Sequence, residues 1–562
     1  MSRPDQSEVE DRPSHQDAPL SDMKEKTDLS TTISHGPGEV ESVKDSEHGE
    51  FKRSFSKRQI HIIALGSNVG SGIFIGIGKA LADGGPGNML IAYLLVCTLV
   101  WCVLQTLSEM TIIFPTSGNF IDYADRWVDP ALAFGAGFAE WLGWTAIVAA
   151  EAVFFVVLVG FWADGKVPVA VLLTLFLVAT FVIFLLPNTY FAWFEYVTSI
   201  IKIFLFMLII VVGVAVICGA GPNGYVHEAV NYRKLGAFKN GFGGFARCAL
   251  LACWAVGDQV FIGILAGEAK SPRMSMGHAT KLVPYRVIGM YMSSVVIATF
   301  MVRSDNDRLL GGSGSSGAAA SPFVIGLVDV GIRGIPDILN AGMILGALAI
   351  SAEAVYLSSR ILRTMAHQGL IPEFMAKVDS KGRPRSALAI TIVVAVALTY
   401  IALSADGTKV LNWFLNITSS SFFSNWLIIG FTSFRFRAAV KAQDDKVFSD
   451  PFAWRSSKWP LAPSFLLVGS VILLISCLYA SISPIGNTGF TAEDFFSYML
   501  GFIMIFGLTL LYKVCLRTQW RDPSSADLTT GRRRLSEEEL VELEEYYGMC
   551  RWRRFKTYTQ LW

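Results

Sequence analysis

Long runs of apolar residues, separated by short polar segments, occupy most of the chain between residues 58 and 515. Twelve of these runs reach or approach the roughly 20 residues with which an α-helix crosses the apolar core of a bilayer. They centre on 59–81, 88–114, 131–162, 167–187, 193–219, 243–267, 284–302, 337–366, 386–404, 409–433, 460–482 and 494–515. The pattern predicts an all-α polytopic membrane protein with twelve transmembrane helices.

Polar tails flank the predicted twelve-helix domain, residues 58–515. Residues 1–57 are rich in Ser, Asp, Glu and Lys, a composition typical of a disordered tail. In the second tail, residues 516–562, Ser536 and Glu539 have capping-box spacing, which predicts a short helix. An even number of spans places both tails on one side. Because the loops on that side carry more Lys and Arg than the opposite loops, we expect both tails to be cytoplasmic.

Composition narrows the possible function classes. The chain is 52% hydrophobic and 17% charged, with a mean hydropathy of +0.46 and a net charge of +1. We expect the chain to be embedded in the lipid bilayer and to have no nucleic-acid partner. No Ser-His-Asp, metal-ligand or paired catalytic carboxylate pattern stands out among the seven histidines and the intramembrane acids. We therefore expect neither an enzyme nor a bound cofactor.

Two predicted spans are interrupted by glycine and polar residues. The first contains "GSNVGSGIFIG", residues 66–76, and the sixth contains Gly257, Asp258 and Gln259 within an apolar run. Small residues could simply allow close helix packing, an interpretation that the first motif alone leaves open. Interrupted helices in corresponding positions of two halves instead indicate the substrate site of a transporter. Spans one and six are the first members of two successive groups of five.

Several long motifs, in one order, closely resemble those of the fungal amino acid permeases, the yeast family of the amino acid, polyamine and organocation transporters. They are "GSNVGSGIFIGIGKALADGGPGNMLIAY", "SEMTIIFPTSGNFIDYADRWVDPALAFGAGFAEW", "AGEAKSPR", "RLLGGSGSSGAAASPFVIGL", "YLSSRILRTMAHQGLIPEFMAKVDSKGRP" and "DLTTGRRR". The resemblance covers roughly residues 55–535. It implies that the first ten helices form two inverted five-helix repeats, with helices one and six broken. It also implies proton-coupled uptake of amino acids across the plasma membrane.

A zwitterionic substrate needs hydrogen-bond donors for its carboxylate and acceptors for its ammonium. We expect the first break to supply free backbone N–H groups for the carboxylate and the second to supply carbonyls for the ammonium. Asn68 and Ser71 could add side-chain hydrogen bonds, or could instead satisfy the broken backbone. Trp254 could gate or line the site, or simply pack. The predicted substrate-binding residues are Asn68, Ser71, Gly72, Ile73, Trp254, Ala255, Val256, Gly257 and Asp258.

Ionisable residues inside spans are costly unless they face a cavity or a partner. Lys202 lies seven residues after Glu195, which places both on one face of the fifth helix. In the family's pattern, Lys202 matches a lysine that reaches the first-helix break, and we expect it to carry the coupling proton by bridging to carbonyls beside Gly66 and Ser67. A static or snorkelling cation is the alternative. Glu109 and Glu151 match family glutamates and are further candidates for proton coupling, or are structural.

The sequence departs from the family's pattern in and near the sixth helix. Asp258, Gln259 and Val260 stand where the fungal permeases usually carry Gly-Thr-Glu. Glu353 and Glu140 are also unexpected in the eighth and third spans. These carboxylates indicate a substrate with an additional positive charge or altered proton coupling. Alternatively, they pair with Arg247 or with water.

Function is therefore expected to be secondary active, proton-coupled import of amino acids by alternating access. An amino acid sensor on the same fold is one alternative. A permease for a cationic amine, such as choline, a polyamine or γ-aminobutyrate, is another. Lys24, Lys26 and Lys44 lie among serines in the N-terminal tail, where we expect ubiquitination to control turnover.

Overall fold

The computed structural model describes residues 62–63, 66, 69–116, 118–163, 166–186, 188–224, 228–260, 263, 272–309, 321–379, 382–403, 407–449, 452–486 and 489–554. These described residues are mainly helical and contain no β-strand. The α-helices of eight or more residues, numbered in chain order, are α1 (Ile77–Ile113), α2 (Asn119–Trp127), α3 (Pro130–Ala163), α4 (Val169–Val182), α5 (Asn188–Ile217), α6 (Gly241–Val256), α7 (Pro272–Met301), α8 (Pro322–Asp329), α9 (Ile335–His367), α10 (Arg385–Ile401), α11 (Gly407–Ala442), α12 (Leu461–Ile482), α13 (Ala492–Leu516) and α14 (Glu537–Gly548).

Seven of the described helical segments are long and apolar enough to cross a membrane. The first of them, Gly72–Ile113, has 42 residues and would be about 63 Å long, roughly twice the bilayer core. Gly85, with φ 75° and ψ 172°, breaks it just before Pro86, so it supplies two crossings. The three shorter apolar helices α4, α6 and α10, together with α11, complete the twelve predicted spans.

The first and sixth spans pack antiparallel to each other. Successive contacts advance along the first span and retreat along α6: Gly72 against Ala255, Ala80 against Cys248, and Gly84 against the Gly244 carbonyl. Glycine at 72 and 84 permits this approach, because an added Cβ would lie within 3.0 Å of the facing helix at both positions. An antiparallel pair is what two inverted repeats require of their first helices, which agrees with the predicted fold class.

Helix α3 lies at the centre of the molecule and packs against α9, α10, α11 and α13. Small residues allow these close approaches, as is common between membrane helices. A Cβ at Gly135 would lie 2.4 Å from the Ile505 carbonyl on α13, and one at Gly137 would lie 2.8 Å from Met365 Sδ on α9. The packing holds the middle of α3 beside the first and sixth spans.

Several helix bounds differ from the predicted spans. Helix α7 begins at Pro272 rather than at residue 284, and α11 continues to Ala442 rather than ending at 433. Hydropathy marks only the part of a helix that lies in the apolar core of the bilayer. These two helices extend beyond that core by further helical turns of polar residues. The pattern also missed α2 and α8, which are too short to span a membrane. In α2 an Asp122–Arg126 ion pair of 3.0 Å joins successive turns.

Residues 517–534 form a strap across the ends of α1, α2 and α11. The Arg521 backbone N–H donates to the Val128 carbonyl at 2.8 Å, and the Arg533 N–H donates to the Ile113 carbonyl at 3.0 Å. Trp127 Nε1 donates to the Asp527 carbonyl, also at 3.0 Å. Helix α14 then begins with the predicted capping box, in which Ser536 Oγ accepts from the Glu539 N–H at 3.2 Å.

Candidate functional site

Both predicted helix breaks are present, and the first packs against the end of α6 that precedes the second. Gly72–Gly76 form a π-helical turn just before α1, and Gly257–Val260 form a 3-10 turn just after α6. Such departures from α-helical hydrogen bonding are common at functional sites. The glycines also let the chains touch, because a Cβ at Gly72 would lie 2.7 Å from the Ala255 Cα. The π turn therefore packs directly against the C-terminal end of α6 within the helix bundle.

A cavity of about 40 Å³ lies between the first break and the C-terminal end of α6. It accommodates a few water molecules and is far smaller than the roughly 300–1,000 Å³ of most ligand pockets. The site is therefore contracted in this conformation. Its lining residues are Gly70, Ser71, Gly72, Trp144, Ile147, Glu151, Trp254, Ala255, Tyr291, Ile350, Glu353 and Phe422.

Ser71 connects the first break to a buried carboxylate. Its Oγ donates a hydrogen bond to Glu151 Oε1 on α3. Glu151 is 0% exposed, and its Oε2 has no hydrogen-bond partner in the described part of the chain. A buried carboxylate oxygen without a partner is costly. This oxygen is therefore suited to receive a proton or a cationic group that enters the cavity.

Backbone groups at the two breaks are only partly available to a ligand. The Ile73 N–H, expected to be free for a carboxylate, donates to the Gly70 carbonyl at 3.0 Å. The Ala255 carbonyl, expected to receive an ammonium, accepts from the Tyr291 hydroxyl on α7. The Tyr291 contact occupies one of the two lone pairs of the Ala255 carbonyl oxygen.

Trp254 lines the cavity and is 8% exposed. Its ring centroid lies 5.4 Å from that of Phe154, and Gly76 lies against the opposite part of the ring. Val256 is fully buried, and Gly257 faces Phe422, whose ring an added Cβ would approach to 2.6 Å. Trp254 therefore lines the site, whereas Val256 and Gly257 pack.

Lys202 lies in a closed ion pair. Its Nζ is 3.3 Å from Glu195 Oε1, and both side chains are 0% exposed. Lys202 also interacts electrostatically with Glu151. Lys202 donates to Glu195 rather than to the Gly66 carbonyl, where the bridge was expected. Gly66 itself packs against Ser199, one turn before Lys202. Lys202 pairs with Glu195 because both are buried on the same face of α5, as their seven-residue spacing indicated.

Glu109 lies away from the cavity. Both of its carboxylate oxygens accept from Arg437 on α11, at 2.6 and 2.7 Å, and Oε2 also accepts from the Ser456 N–H at 2.9 Å. The Arg437 guanidinium lies over the Phe448 ring, 3.9 Å from its centroid. Of the two glutamates predicted as candidates for proton coupling, the structure thus places Glu151 at the cavity and Glu109 away from it.

The two unexpected carboxylates have different surroundings. Glu140 accepts from Trp144 Nε1 at 2.9 Å and from Asn425 Nδ2 at 2.5 Å, which joins α3 to α11. The suggested partner Arg247 instead lies 3.7 Å from Asp83. Glu353 is 2% exposed and lines the cavity. Asn68 and the Ser67 carbonyl lie outside the described residues, as do the side chains of Asp258 and Gln259.

Sequence reasoning missed three aromatic residues of the site, namely Trp144, Tyr291 and Phe422. Each lies in an apolar run, where no local signal separates it from an ordinary packing residue. A second omission is Lys79, which is buried in the first span and lies 3.7 Å from Asp83, one turn later. Here a signal existed, because a lysine within an apolar span is costly without a partner.

Comparisons with known proteins agree with the fold. The model of the family described as "Amino acid permease" matches residues 59–523. The chain is 32% identical to the amino-acid permease GAP3 of Candida albicans, over 88% of this chain and 82% of that protein. It is 30% identical to the general amino-acid permease GAP1 of Saccharomyces cerevisiae, over 86% and 80%.

Among solved structures, the fold resembles that of a manganese transporter from Eremococcus coleocola. The TM-score is 0.53 at 12% identity, and the match covers 82% of this chain and 95% of the other. This likeness concerns the fold alone. The family match covers most of the chain and includes both helix breaks. The chain belongs to the amino acid permease family.

Proposed function

We propose that this permease imports amino acids across the plasma membrane by proton-coupled alternating access. One observation carries the proposal: the first break and the end of α6 that precedes the 3-10 turn line a cavity in which Ser71 is hydrogen-bonded to the buried Glu151. Interrupted helices near the bilayer midplane are a common basis for substrate sites in secondary transporters. The contracted cavity corresponds to a state without room for substrate.

The substrate carboxylate binds near the first break, where Ser71 and Gly72 line the cavity. Helix α1 starts beyond this turn, so its positive dipole end favours an anion there. The ammonium binds towards the free oxygen of Glu151 and the Ala255 carbonyl. In this pose each charged end of the zwitterion has a protein partner, which its transfer from water requires.

The coupling proton resides on the cluster formed by Glu151, Lys202 and Glu195. Two carboxylates and one ammonium leave one uncompensated negative charge, which a single proton removes. The protein passes more readily through a contracted, buried state when the cluster is protonated and neutral, because an unpaired charge is costly at low dielectric. Proton release on the inner side then favours reopening, so each transport cycle has a direction.

A permease for a cationic amine is the second candidate. Glu151 and Glu353 both line the cavity, and its lining contains no Lys or Arg among the described residues. Two carboxylates suit a substrate that carries a positive charge in addition to those of a zwitterionic amino acid. Competition of labelled amino acid uptake by each of the twenty amino acids, choline, polyamines and γ-aminobutyrate, in a permease-deficient host, separates the candidates. Binding without any uptake would instead indicate a sensor.

Proteoliposomes test the coupling. Lys202→Ala and Glu151→Gln should lose accumulation driven by a pH gradient, while retaining some exchange of internal for external substrate, because exchange needs only the loaded forms. Lys202→Arg keeps the positive charge but should not restore coupling, because the larger planar guanidinium does not fit the fully buried space that holds the Lys202 ammonium beside Glu195. Ser294→Ala is the matched control, because Ser294 is fully buried on α7 and its hydroxyl has no partner in the described residues. Wild-type pH dependence in both Lys202→Ala and Glu151→Gln would contradict the assignment.

A further inference from the structure

A second pocket, of about 380 Å³, lies where α1 and α7 meet the loop that joins α11 to α12. Its lining contains four cations and no acidic residue: Arg273, Lys281, Arg455 and Lys458. None of the four has an ion-pair partner within 4.0 Å in the described part of the chain. By contrast, in the neighbouring pocket Arg532 pairs with Asp445, and Arg533 pairs with Glu539.

Arg273 supplies this pocket with a hydrogen-bond donor that the protein holds in place. The side chain is 9% exposed, and its Nε donates to the Phe452 carbonyl at 2.8 Å. The other four N–H groups of the guanidinium have no acceptor among the described residues. Gly277 makes room for this arrangement, since a Cβ there would lie 3.0 Å from Arg273 Nη1. These N–H groups are available to an anion that enters the pocket, where hydrogen bonds between charged groups are strong.

The pocket also lies at the edge of the lipid-facing surface. Tyr285 is 67% exposed on α7, one turn after the exposed Lys281, and Val296 continues this face. On α1, Ile91 and Leu94 form an exposed face that leads to Trp101, which lines the pocket. Trp and Tyr concentrate at membrane interfaces, where lysine heads also extend towards phosphates. These features suit four cations at headgroup level on the side of the tails.

We propose that this pocket binds the phosphate-bearing headgroup of an anionic phospholipid in the leaflet on the tail side. The phosphate accepts from the unused N–H groups of Arg273, while Lys281, Arg455 and Lys458 neutralise the headgroup. The acyl chains extend along the exposed faces of α1 and α7. Basic pockets between transmembrane helices suit such headgroups. This site is separate from the substrate cavity and does not depend on the transported molecule.

Native mass spectrometry of the purified full-length protein tests the proposal with dioleoyl phosphatidylserine and dioleoyl phosphatidylcholine. The wild type should prefer phosphatidylserine. Lys281→Gln and Arg455→Gln should each weaken phosphatidylserine binding by about fivefold, or about 1 kcal/mol, and leave phosphatidylcholine unchanged. Both side chains are exposed, so neither change disturbs the packed interior. Lys441→Gln, an exposed lysine on the same side but outside the pocket, is the control.

Three results would overturn the proposal. The wild type could show no headgroup preference, which would exclude a specific lipid site. Lys441→Gln could weaken phosphatidylserine binding as much as Lys281→Gln, which would mean general surface attraction. Inorganic phosphate at equal concentration could displace phosphatidylserine, which would identify the pocket as a site for soluble anions. Loss of preference in the pocket variants alone, without competition by phosphate, supports the lipid site.

Discussion

At the scale of single residues, Gly72 and Gly76 lie one turn apart but have different surroundings. A methyl group at Gly72 would lie 2.6 Å from Ala255 Cβ and 2.7 Å from its Cα, whereas one at Gly76 would lie 3.4 Å from the Trp254 ring. The first distance requires backbone movement, while the second is close to ordinary contact. Gly72 therefore sets the separation of the two broken spans.

Gly72→Ala should reduce uptake by at least about fivefold, since overpacking of this kind costs about 1–3 kcal/mol. Gly76→Ala should retain most activity, because alanine also favours helix at this position. Uptake is measured per molecule at the cell surface, so that a folding defect is separated from a transport defect. Equal uptake by the two variants would mean that the contact between Gly72 and Ala255 is not required.

Glu109 shows how a candidate for proton coupling can instead be structural. Glu109→Gln removes the carboxylate that pairs with Arg437, whose side chain is only 11% exposed. Loss of one member of a buried pair costs about 3–5 kcal/mol, so the thermal midpoint of the purified variant should fall. Any surviving protein should keep the wild-type pH dependence of uptake. Altered pH dependence at normal stability would return Glu109 to the coupling residues.

Glu493→Gln is the matched control for that change. Glu493 pairs with Lys409 at 2.6 Å, but their side chains are 47% and 56% exposed. Water screens such exposed pairs, which contribute little to stability. The thermal midpoint of Glu493→Gln should therefore stay close to that of the wild type.

At the scale of helices and segments, the strap of residues 517–534 ties together elements that are distant in the chain. It bonds to Val128 after α2 and to Ile113 at the end of α1, and Gln443 beyond α11 donates to the Ala526 carbonyl at 2.7 Å. These bonds hold the ends of α1, α2 and α11 in place while leaving the cavity untouched.

A chain that ends at residue 548 keeps the strap and α14, and should transport like the wild type. A chain that ends at residue 516 loses the strap, so its thermal midpoint and its surface abundance should both fall. Normal stability of the shorter chain would show that the strap is dispensable. Both chains lack residues 549–562, so the chain that ends at residue 548 is the control for loss of that terminal segment.

The sequence predicted the apolar spans, the two breaks and the capping box, because each depends on residues close together in the chain. Hydropathy did not predict α2, because this helix of 9 residues is too short to span a membrane; its local Asp122–Arg126 pair is a signal that hydropathy does not register. It also could not predict the partner of Glu109, because Arg437 lies 328 residues away. Partners of that kind depend on how the helices pack, which local periodicity does not determine.

At the scale of the whole molecule, the N-terminal tail is predicted to control abundance rather than transport. Lys24, Lys26 and Lys44 are the proposed ubiquitination sites. Deletion of residues 2–45 should slow removal from the surface and leave uptake per surface molecule unchanged. Reduced uptake at equal abundance would instead show a direct role of the tail in transport.

The central claim is that the transported amino acid binds in the cavity between the two broken spans. Ile350 on α9 lines this cavity, whereas Ile344 on the same helix packs beside the α4 residues Leu173 and Phe176. A single cysteine at either position, with the exposed Cys218, Cys515 and Cys550 changed to serine, reports on occupancy.

The decisive measurement is the rate at which a small thiol reagent labels Ile350→Cys with and without the best transported substrate. Substrate should slow labelling of Ile350→Cys, with half-protection near the KM of uptake, and should leave Ile344→Cys unaffected. An amino acid that is not transported should protect neither. Unchanged labelling of a variant that still transports would contradict the account and place the substrate elsewhere in the bundle.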